Sequence, residues 1–327
     1  MKRREFLYLA SGALAAAPVG AVVGQPARTF RLATLTQGAP ITEKVPTGAI
    51  LLRVLAQRGY ALGQNLVLEA SGAGGDAERV KQMARHIAES KFDAAVVAGY
   101  PTALAMKETG VPTVVAAGAG DPVATGLVTS LAHPGGNITG ISDVAAILSS
   151  KRLELLKQAV PNLHKVAMLW NRNDLAMTLR YQSSAKAADA LGITVQALGV
   201  GEPDDFEGAF AAMAQNQPDA ILMVSDTLTI LNRKRVFEFA AARHLPAIYE
   251  NDPFVRDGGL MSYGADVKEA FERAGALVDR IFKGAKPADL PFEQPTRYLL
   301  AINLQTAKAI GYQFPTTLLA LADVVIE

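Results

Sequence analysis

Short runs of aliphatic and β-branched residues alternate with longer amphipathic segments along most of this chain, and this alternation restricts the possible folds more than any other feature. A strand buried in a parallel sheet is a short apolar run, whereas a helix repeats its apolar residues every three to four positions. Alternation of the two is typical of βα units on parallel sheets. The sequence therefore predicts an α/β protein.

The predicted strands and helices fall into two sets. Strands are predicted at 30–35, 66–70, 94–98, 113–116 and 126–130 in the first set, and at 165–170, 194–198 and 220–224 in the second. Helices are predicted at 48–58, 77–89, 151–158, 177–190, 206–215 and 231–243. Glycine follows two of these helices, at Gly59 and Gly192, where it is a common helix stop.

The order of these elements predicts two lobes. A glycine-rich string at 133–137 separates the two sets, and after Glu250 the pattern restarts. The restart predicts a strand at 260–263, a helix at 268–282, a proline-containing linker at 286–295, a strand at 298–302 and a helix at 305–310. Because this tail is too short for a third domain, we expect it to complete both lobes through several chain crossings that act as a hinge. The expected division is 28–145 plus 251–292 for the first lobe and 146–250 plus 293–327 for the second.

The composition narrows the classes of protein and site further. The chain has 327 residues, of which 50% are hydrophobic and 19% charged. This suits about two globular domains and excludes a disordered or low-complexity protein. The formal net charge of +1 offers no basic excess for nucleic acid. The absence of cysteine excludes disulfides, thiolate zinc sites, iron–sulfur clusters and thiol nucleophiles.

The N-terminus has the pattern of an export signal. Lys2, Arg3 and Arg4 precede a stretch without charged side chains, from residue 6 to 27, that is rich in Ala, Gly and Leu. The paired arginines before Phe6 and Leu7 are similar to the twin-arginine export pattern, and small residues at the end of the stretch offer a cleavage region. We therefore expect residues 1–27 to be a cleaved signal peptide and the protein to be periplasmic. The alternative is an uncleaved membrane anchor, which the Ser, Gly and Pro of the stretch disfavour.

Catalytic and cofactor motifs are nearly absent. The sequence has no G-x-x-x-x-G-K-[ST] phosphate loop and no G-x-S-x-G nucleophile elbow. The string at 118–122 has only two glycines of the dinucleotide fingerprint, with a proline where the helix should open, so we expect no cofactor. An S-x-x-K match at 183–186 lacks its companion motifs and suits a solvated helix surface better. The isolated histidines have no metal-ligand spacing, so we expect neither a metal site nor a catalytic residue; they are His86, His133, His164 and His244.

Polar and aromatic residues follow the predicted strands at the ends where open α/β sheets bind ligands. Gln37 follows the first strand, and a later loop leads from a buried strand into a helix. Pro101 suits the first turn of that helix, which leaves the amides of Thr102 and Ala103 free to bind a carboxylate. The alternative is that Tyr100 and Thr102 only cap the helix, because caps need the same chemistry.

Further candidates for ligand contact lie in loops of both halves: Gly118, Asp121, Asn171, Ser225, Asp226, Thr227, Tyr249, Glu250 and Tyr263. The carboxylates among them can pair with a ligand ammonium group. The tyrosines offer aromatic walls and hydroxyl groups, although burial in the core explains each of them equally well. The segment 171–174 is a weaker candidate for the rim of a cleft, because Asn and Asp are also ordinary turn residues.

Several strings resemble one family of transport proteins. They are GDPVATGLVTSLAHPGGNITGIS (120–142), KRLELLKQAVP (151–161), PAIYE (246–250), GGLMSYG (258–264), GAKPADLP (284–291) and INLQTAKAIG (302–311). Together and in this order they are similar to the ABC-transporter substrate-binding proteins related to the tryptophan-binding import component. The resemblance extends over essentially the whole chain.

This resemblance implies a type I periplasmic-binding-protein fold of the leucine-binding kind, with two α/β lobes that are joined by three crossings and close on a small solute. It implies a periplasmic receptor that delivers a carboxylate-bearing solute, an amino acid or an aromatic acid, to an ABC permease and its ATPase subunit. We expect no nucleic-acid partner and membrane contact only through the permease. On this basis the helix start at Thr102 and Ala103 would take the ligand carboxylate, and Asp226 or Glu250 would take its ammonium group.

Two other classes of protein remain open at this point. A ligand-sensing subunit for a membrane signalling partner would share the fold and the cleft, so the sequence does not separate it from an import receptor. A periplasmic α/β enzyme would need an acid/base or nucleophile constellation, and the sequence shows none. We therefore expect a binding protein rather than an enzyme.

Overall fold

The computed structural model describes residues 28–327, except for the side chains of residues 145 and 146. The predicted signal peptide at 1–27 lies outside the described residues. Two separate sheets, in which nearly all strand pairs are parallel, are flanked by helices. The predicted α/β class is therefore confirmed, and we call each sheet with its helices a lobe.

The sheet of the first lobe has five parallel strands in the order β2-β1-β3-β4-β5. These strands are β1 (Phe30–Thr36), β2 (Leu66–Gly72), β3 (Ala94–Ala98), β4 (Thr113–Ala117) and β5 (Ile138–Gly140). The helices between them are α1 (Pro46–Gln57), α2 (Ala77–Glu89) and α3 (Tyr100–Lys107).

The sheet of the second lobe has seven strands in the order β12-β11-β10-β9-β8-β6-β7, and only β10 and β11 pair antiparallel. These strands are β6 (Lys165–Asn171), β7 (Thr194–Val200), β8 (Ala220–Met223), β9 (Ala247–Tyr249), β10 (Met261–Ala265), β11 (Tyr298–Asn303) and β12 (Val324–Ile326). The remaining helices are α4 (Ala145–Ala159), α5 (Leu175–Ala190), α6 (Asp205–Gln215), α7 (Thr227–Leu231), α8 (Arg233–Ala242), α9 (Asp252–Arg256), α10 (Val267–Phe282), α11 (Leu304–Ala309) and α12 (Thr316–Leu319), with a 3-10 turn at Pro287–Asp289.

Each sheet has an apolar core on both faces, because successive side chains of a strand point to opposite sides. In β3, Val96 packs in the core formed with α1 and α10, whereas Val97 packs in the core formed with α2 and α3. In β8 of the second lobe, Leu222 and Met223 alternate in the same way. Burial on both faces explains why the strands are nearly continuous apolar runs in the sequence.

The chain passes between the two sheets three times: from β5 to α4, from β10 to α10, and from the 3-10 turn to β11. The predicted division assigned 251–292 to the first lobe, but β10 within this range pairs with β9 and β11 of the second sheet. That part of the division is wrong. Helix α10 packs on α1, β3 and β4 of the first lobe, so the crossing falls between β10 and α10. Sequence order alone cannot reveal this point, because strand pairing is a long-range contact.

One predicted strand is also wrong, and one predicted helix begins two residues later than expected. The strand predicted at 126–130 is a turn, and β5 takes its place beside β4. Length and apolar character do not separate a buried turn from a short strand. The helix predicted at 231–243 is α8, which begins two residues later than predicted, and the short helix α7 that ends before Asn232 was not predicted. The Asn232 side chain donates to the Leu228 carbonyl oxygen at 2.9 Å, and such local bonds favour helix ends over helix interiors.

Candidate ligand-binding site

A cavity of about 510 Å³ lies between the two lobes. Loops at the carboxyl ends of β1, β3 and β4 form one side of it, and loops after β6, β8 and β9 form the other. The segment between β5 and α4 and the start of α10 complete the cavity where the chain crosses between the lobes. Open α/β sheets bind ligands at this edge.

Much of the cavity wall is apolar and comes from both lobes: Ala98, Ala116, Ala117, Ile141, Leu148, Met177, Ile230, Leu231, Val267 and Ala270. Ile230 and Leu231 are 40% and 53% exposed, so they lie where the cavity meets solvent. A mainly apolar wall with a few polar groups is typical of small-molecule sites.

The lobes touch at the edge of this cavity. A Cβ atom placed on Gly120, in the loop after β4, would lie 2.7 Å from the Cβ of Ala176 in α5. Gly120 has a φ of +66°, which favours glycine, and its N–H donates to Asp143 Oδ2 at 3.1 Å. Because Asp143 lies in the crossing segment before α4, this bond joins the first lobe to the hinge. The structure therefore shows the lobes closed on the cavity.

Four charged side chains form a network at the cavity. Glu250 accepts hydrogen bonds from Arg152 Nη1 at 2.9 Å and from Arg180 Nη1 at 2.5 Å. Its Oε2 also accepts the Ser225 N–H at 2.9 Å, and Arg180 donates to Asp143. Burial by itself raises the pKa of a carboxyl group, but the two guanidinium groups hold the pKa of Glu250 below its usual range. Glu250 therefore has no unpaired charge left for a ligand ammonium group.

Two further carboxylates line the cavity without an ion-pair partner among residues 28–327. Asp174 is 4% exposed and caps α5 by accepting the Met177 N–H at 3.2 Å. Asp226 caps α7 by accepting the Thr229 N–H at 2.9 Å, and its Oδ2 accepts from the side-chain amide of Asn171. Burial, together with the nearby charge of Asp226, raises the pKa of Asp174 to about 6. The cavity thus has unbalanced negative charge at this point.

The N-terminus of α3 also faces the cavity, which Tyr100 and Pro101 line. The first intrahelical bond runs from the Ala103 N–H to the Gly99 carbonyl oxygen at 3.1 Å. The N–H groups of Tyr100 and Thr102 precede this bond and have no acceptor within the helix. Amides in this position suit an anionic group such as a carboxylate. The free amides are thus those of Tyr100 and Thr102, and not those of Thr102 and Ala103 as expected.

Tyr100 belongs to α3 of the first lobe but packs in the core cluster of the second lobe. Burial, and next the charge of Asp174, raises the pKa of its hydroxyl group. Tyr100 is only 7% exposed in this closed arrangement. Its ring therefore connects the two lobes directly beside the cavity.

The structure brings about half of the predicted site residues to the cavity: Gln37, Tyr100, Gly118, Ser225, Asp226, Thr227 and Glu250. They come from five strand ends, three in the first lobe and two in the second. Loops at the carboxyl ends of parallel strands meet at one edge, which is why sequence position alone could select them.

Three predicted residues of the first lobe lie outside the cavity lining. Thr102 is fully buried, and its Oγ1 donates to the carbonyl oxygens of Ala98 and Gly99, both at 2.8 Å. Ala103 packs in the first-lobe core, and its N–H is used within α3. Asp121 is exposed and accepts two N–H groups of its own turn. The side chains of Thr102 and Asp121 thus organise local backbone.

Three predicted residues of the second lobe also lie outside the lining. Asn171 lies behind Asp226 and donates to it. Tyr249 is buried in the core and stacks on Phe254 with ring centroids 5.4 Å apart, and burial raises the pKa of its hydroxyl group. Tyr263 packs against the other core of this lobe and offers its carbonyl oxygen to Arg152 Nε at 2.7 Å. Tyr249 is therefore a core residue, as the alternative interpretation had it, whereas Tyr263 is partly buried against the core.

Sequence analysis did not select Asp143, Arg152 or Arg180, and Asp174 was only part of a weaker candidate segment. Arg152 and Arg180 lie inside helices, and no spacing indicates that they converge on Glu250. Asp174 had a usable signal, because an acidic residue after a strand and directly before a helix is a common N-cap. An N-cap aspartate at this edge of the sheet also faces the ligand site.

Within residues 28–327, no three His, Asp or Glu side chains are grouped so that they could hold a metal ion. None of the helices described over this range is both long and apolar enough to cross a bilayer.

Comparisons with known proteins agree with this geometry. The family model of ABC transporter substrate binding proteins matches residues 47–326. A tyrosine-binding protein of Clostridioides difficile is 26% identical over 276 residues, which are 84% of this chain and 78% of that protein. The crystal structure of a conserved domain protein from Vibrio cholerae superimposes with a TM-score of 0.84 at 25% identity, covering 91% of this chain and all of that one.

A second solved structure, an ABC domain in complex with L-Trp from Streptococcus pneumoniae, has a TM-score of 0.82 at 24% identity and covers 91% of this chain and 100% of that chain. It supports the same two-lobe fold. The family match spans most of the chain, and proteins of this family bind solutes and do not transform them, so this protein is not an enzyme. The chain therefore belongs to the ABC transporter substrate-binding protein family.

Proposed function

We propose that this protein is the periplasmic receptor of an ABC importer and that it captures an amino acid, or another small carboxylate-bearing solute, between its lobes. The observation that carries the proposal is the cavity of about 510 Å³, which residues from both lobes line at the carboxyl ends of the strands. This volume lies within the range of ~300–1,000 Å³ that is common for small-molecule sites.

The carboxylate of such a solute has two suitable partners in the cavity. The free first-turn amides of α3 offer hydrogen-bond donors and the positive end of the helix dipole. Arg152 and Arg180 also line the cavity, and Arg180 Nε is buried without a partner among the described residues. The relative named for tyrosine supports an amino acid as the solute.

The receptor works by closing its two lobes on the solute. A ligand shifts a protein toward its closed form only by binding that form more tightly, so groups of both lobes must contact it. Here Gln37 and Tyr100 come from the first lobe, whereas Asp226 and Glu250 come from the second. The closed, loaded receptor then delivers its solute to the permease, and the ATPase subunit drives import. The N-terminal export pattern supports a periplasmic location.

A binding screen tests the proposal. The mature protein, freed of any co-purified ligand by unfolding and refolding, is screened by thermal shift against amino acids, aromatic acids, other small carboxylates and neutral solutes, and hits are measured by calorimetry. A ligand that binds only the folded form raises the midpoint of unfolding. Binding of an amino acid or carboxylate supports the proposal. Binding of neutral solutes alone, or of nothing in the panel, contradicts it.

A variant that fills the cavity tests the location. Ala117 lies at the end of β4, lines the cavity and is partly exposed, so Ala117→Leu places extra bulk in the cavity. We expect it to weaken binding at least tenfold. The matched control is Ala190→Leu, at an exposed position of α5, which should leave binding unchanged. Equal affinity in both variants would place the solute elsewhere.

The transport role needs a separate experiment in cells. Deletion of the gene should abolish high-affinity uptake of the solute found in the screen, and the intact gene should restore it. Normal uptake together with a lost transcriptional response to the solute would instead indicate a ligand-sensing subunit.

A further inference from the structure

Three residues other than glycine have a left-handed backbone within residues 28–327: Lys91 with a φ of +53°, Val144 with +43° and His244 with +54°. Two of them have an ordinary explanation. Lys91 directly follows the last residue that caps α2, and His244 stands in the same place after α8. Helices commonly end with a left-handed residue at this position. Val144 is the exception, because it begins a helix.

The backbone of Val144 is strained. This residue is the N-cap of α4, with φ +43° and ψ +39°, and its side chain makes no capping hydrogen bond. An N-cap residue normally has an extended backbone. A β-branched residue in the left-handed region is an outlier, because its Cβ lies too close to the following carbonyl oxygen. Such strain persists only where the surrounding structure forces it.

Val144 lies in the first of the three crossings between the lobes. On one side, the Ile141 N–H donates to the Val115 carbonyl oxygen in β4 at 2.9 Å, which fixes the chain to the first lobe. On the other side, α4 packs on α5, and its Leu153 and Leu156 are buried in a core of the second lobe. In such a hinge, a few residues between the rigid parts absorb the change in φ and ψ. The dihedral angles of Val144 therefore depend on how the lobes are placed.

The residue directly before Val144 is held by both lobes. Asp143 Oδ2 accepts the Gly120 N–H of the first lobe at 3.1 Å, and it also accepts a hydrogen bond from Arg180 in α5 of the second lobe. One carboxylate thus bonds to groups on both sides of the cleft. While these bonds are made, the chain at Val144 cannot rotate into a relaxed conformation.

The other two crossings have no such strain. Within the described residues, neither Asp266, which links β10 to α10, nor the segment 290–297 before β11 contains a left-handed residue. Asp266 has a φ of −65° and caps α10 in the ordinary way. The backbone strain of the hinge is therefore concentrated at one residue.

We propose that Val144 is a strained hinge residue: closing the lobes forces its backbone into the left-handed region, so that the strain favours the open form. This conformational device goes beyond the receptor role, because it acts whatever solute the cavity takes. It makes the closed lobes reopen more readily and weakens their hold on the solute.

Substitutions that relieve the strain should shift the protein toward closure. Glycine adopts the left-handed region without steric cost, and asparagine adopts it more easily than valine does. Removing the cost of one left-handed residue should raise the ratio of closed to open protein ~5–30-fold in Val144→Gly. Val144→Asn should act in the same direction. Because Asn adds less backbone freedom to the open form than Gly does, it separates relief of strain from added flexibility.

Pulsed electron paramagnetic resonance on the protein without solute measures this ratio. The chain has no cysteine, so Gln82→Cys on α2 and Lys234→Cys on α8 place one spin label at an exposed position of each lobe. The labelled protein is freed of co-purified solute by unfolding and refolding, and the distances between labels are recorded. The control variant is Lys91→Gly, which relieves a left-handed residue of similar φ inside the first lobe.

The expected result is a larger fraction of short distances in Val144→Gly and Val144→Asn than in the wild type, and an unchanged distribution in Lys91→Gly. Unchanged distributions in both Val144 variants, or an equal shift in the control, would overturn the proposal. A shift in Val144→Gly alone would also overturn it, because added flexibility would then explain the effect. A wild type that is entirely closed without solute would show that the strain does not favour opening.

Discussion

Replacing Asp174 by Asn should stabilise the ligand-free protein, although Asp174 lines the cavity. The pKa of Asp174 is raised from 3.8 to about 6, so the folded protein holds this proton more tightly than the unfolded chain does. Ionisation of Asp174 therefore costs stability, and the cost grows as the pH rises from 3.8 to about 6. At about 1.4 kcal/mol per pH unit, the full cost above pH 6 is about 3 kcal/mol.

The Asn variant removes this cost and keeps the hydrogen bond that caps α5, since Asn is an equally good N-cap. Near neutral pH the free energy of unfolding should therefore rise by about 3 kcal/mol. For a chain of this length, with an unfolding entropy of ~2.1 cal/mol/K per residue, the midpoint of unfolding should rise by ~5 °C. At pH 4, where the carboxyl group is neutral in the folded protein, the gain should fall below ~1 kcal/mol.

Calorimetry on the ligand-free wild type and on Asp174→Asn at pH 4 and pH 7.5 provides the measurement. Asp204→Asn, at an exposed position, serves as the control and should not shift the midpoint at either pH. If Asp174→Asn lowers the midpoint at pH 7.5, or raises it equally at both pH values, Asp174 is not an unpaired buried carboxylate. The reasoning that ionisation of Asp174 costs stability in the folded protein would then be refuted.

Three further variants test other parts of the structure. Gly120→Ala should weaken solute binding, because the added methyl group would collide with Ala176 and block closure of the lobes. The control Gly126→Ala has a similar φ of +70° and open space around it, so it should cost similar stability without changing the affinity. Affinities are measured by calorimetry, and equal values for the two variants would contradict the closure contact. Glu250→Gln should destabilise the protein by ~3–5 kcal/mol in denaturant titrations, because it leaves the buried Arg152 without a carboxylate partner and Arg180 with Asp143 alone. The exposed Glu154→Gln should change stability by less than ~0.5 kcal/mol, and small effects from both variants would refute the buried network. Thr102→Val should lower the free energy of unfolding by ~1–2 kcal/mol in the same titrations and leave the affinity unchanged. A large loss of binding would show that the Thr102 side chain belongs to the site.

The sequence predicted site residues correctly only in loops that come directly after a strand. Gln37, Tyr100, Ser225 and Asp226 were found because parallel strands present their carboxyl ends at one edge of a sheet. The same reasoning selected Tyr249, which is in the core. A tyrosine after an apolar run has the same sequence pattern in both situations, and only packing decides between them.

Glu250 shows the second limit of sequence reasoning. Its position at the end of β9 was correct, but its charge is used by Arg152 of α4 and Arg180 of α5. These helices are distant from Glu250 along the chain, and the pairing depends on how the helices pack on the second sheet. The unpaired carboxylates could be identified only after the paired ones were known.

The sequence by itself determined the α/β class, most strands and helices, and the edge of the sheets where a solute would bind, because these depend on periodicity and on local turn chemistry. Tertiary structure decided that β10 pairs in the second sheet while α10 packs on the first lobe, and which cavity charges are paired. These features depend on contacts between residues far apart in the chain. No local pattern encodes such contacts, since their energies arise only when the packed lobes exclude water from the groups that meet.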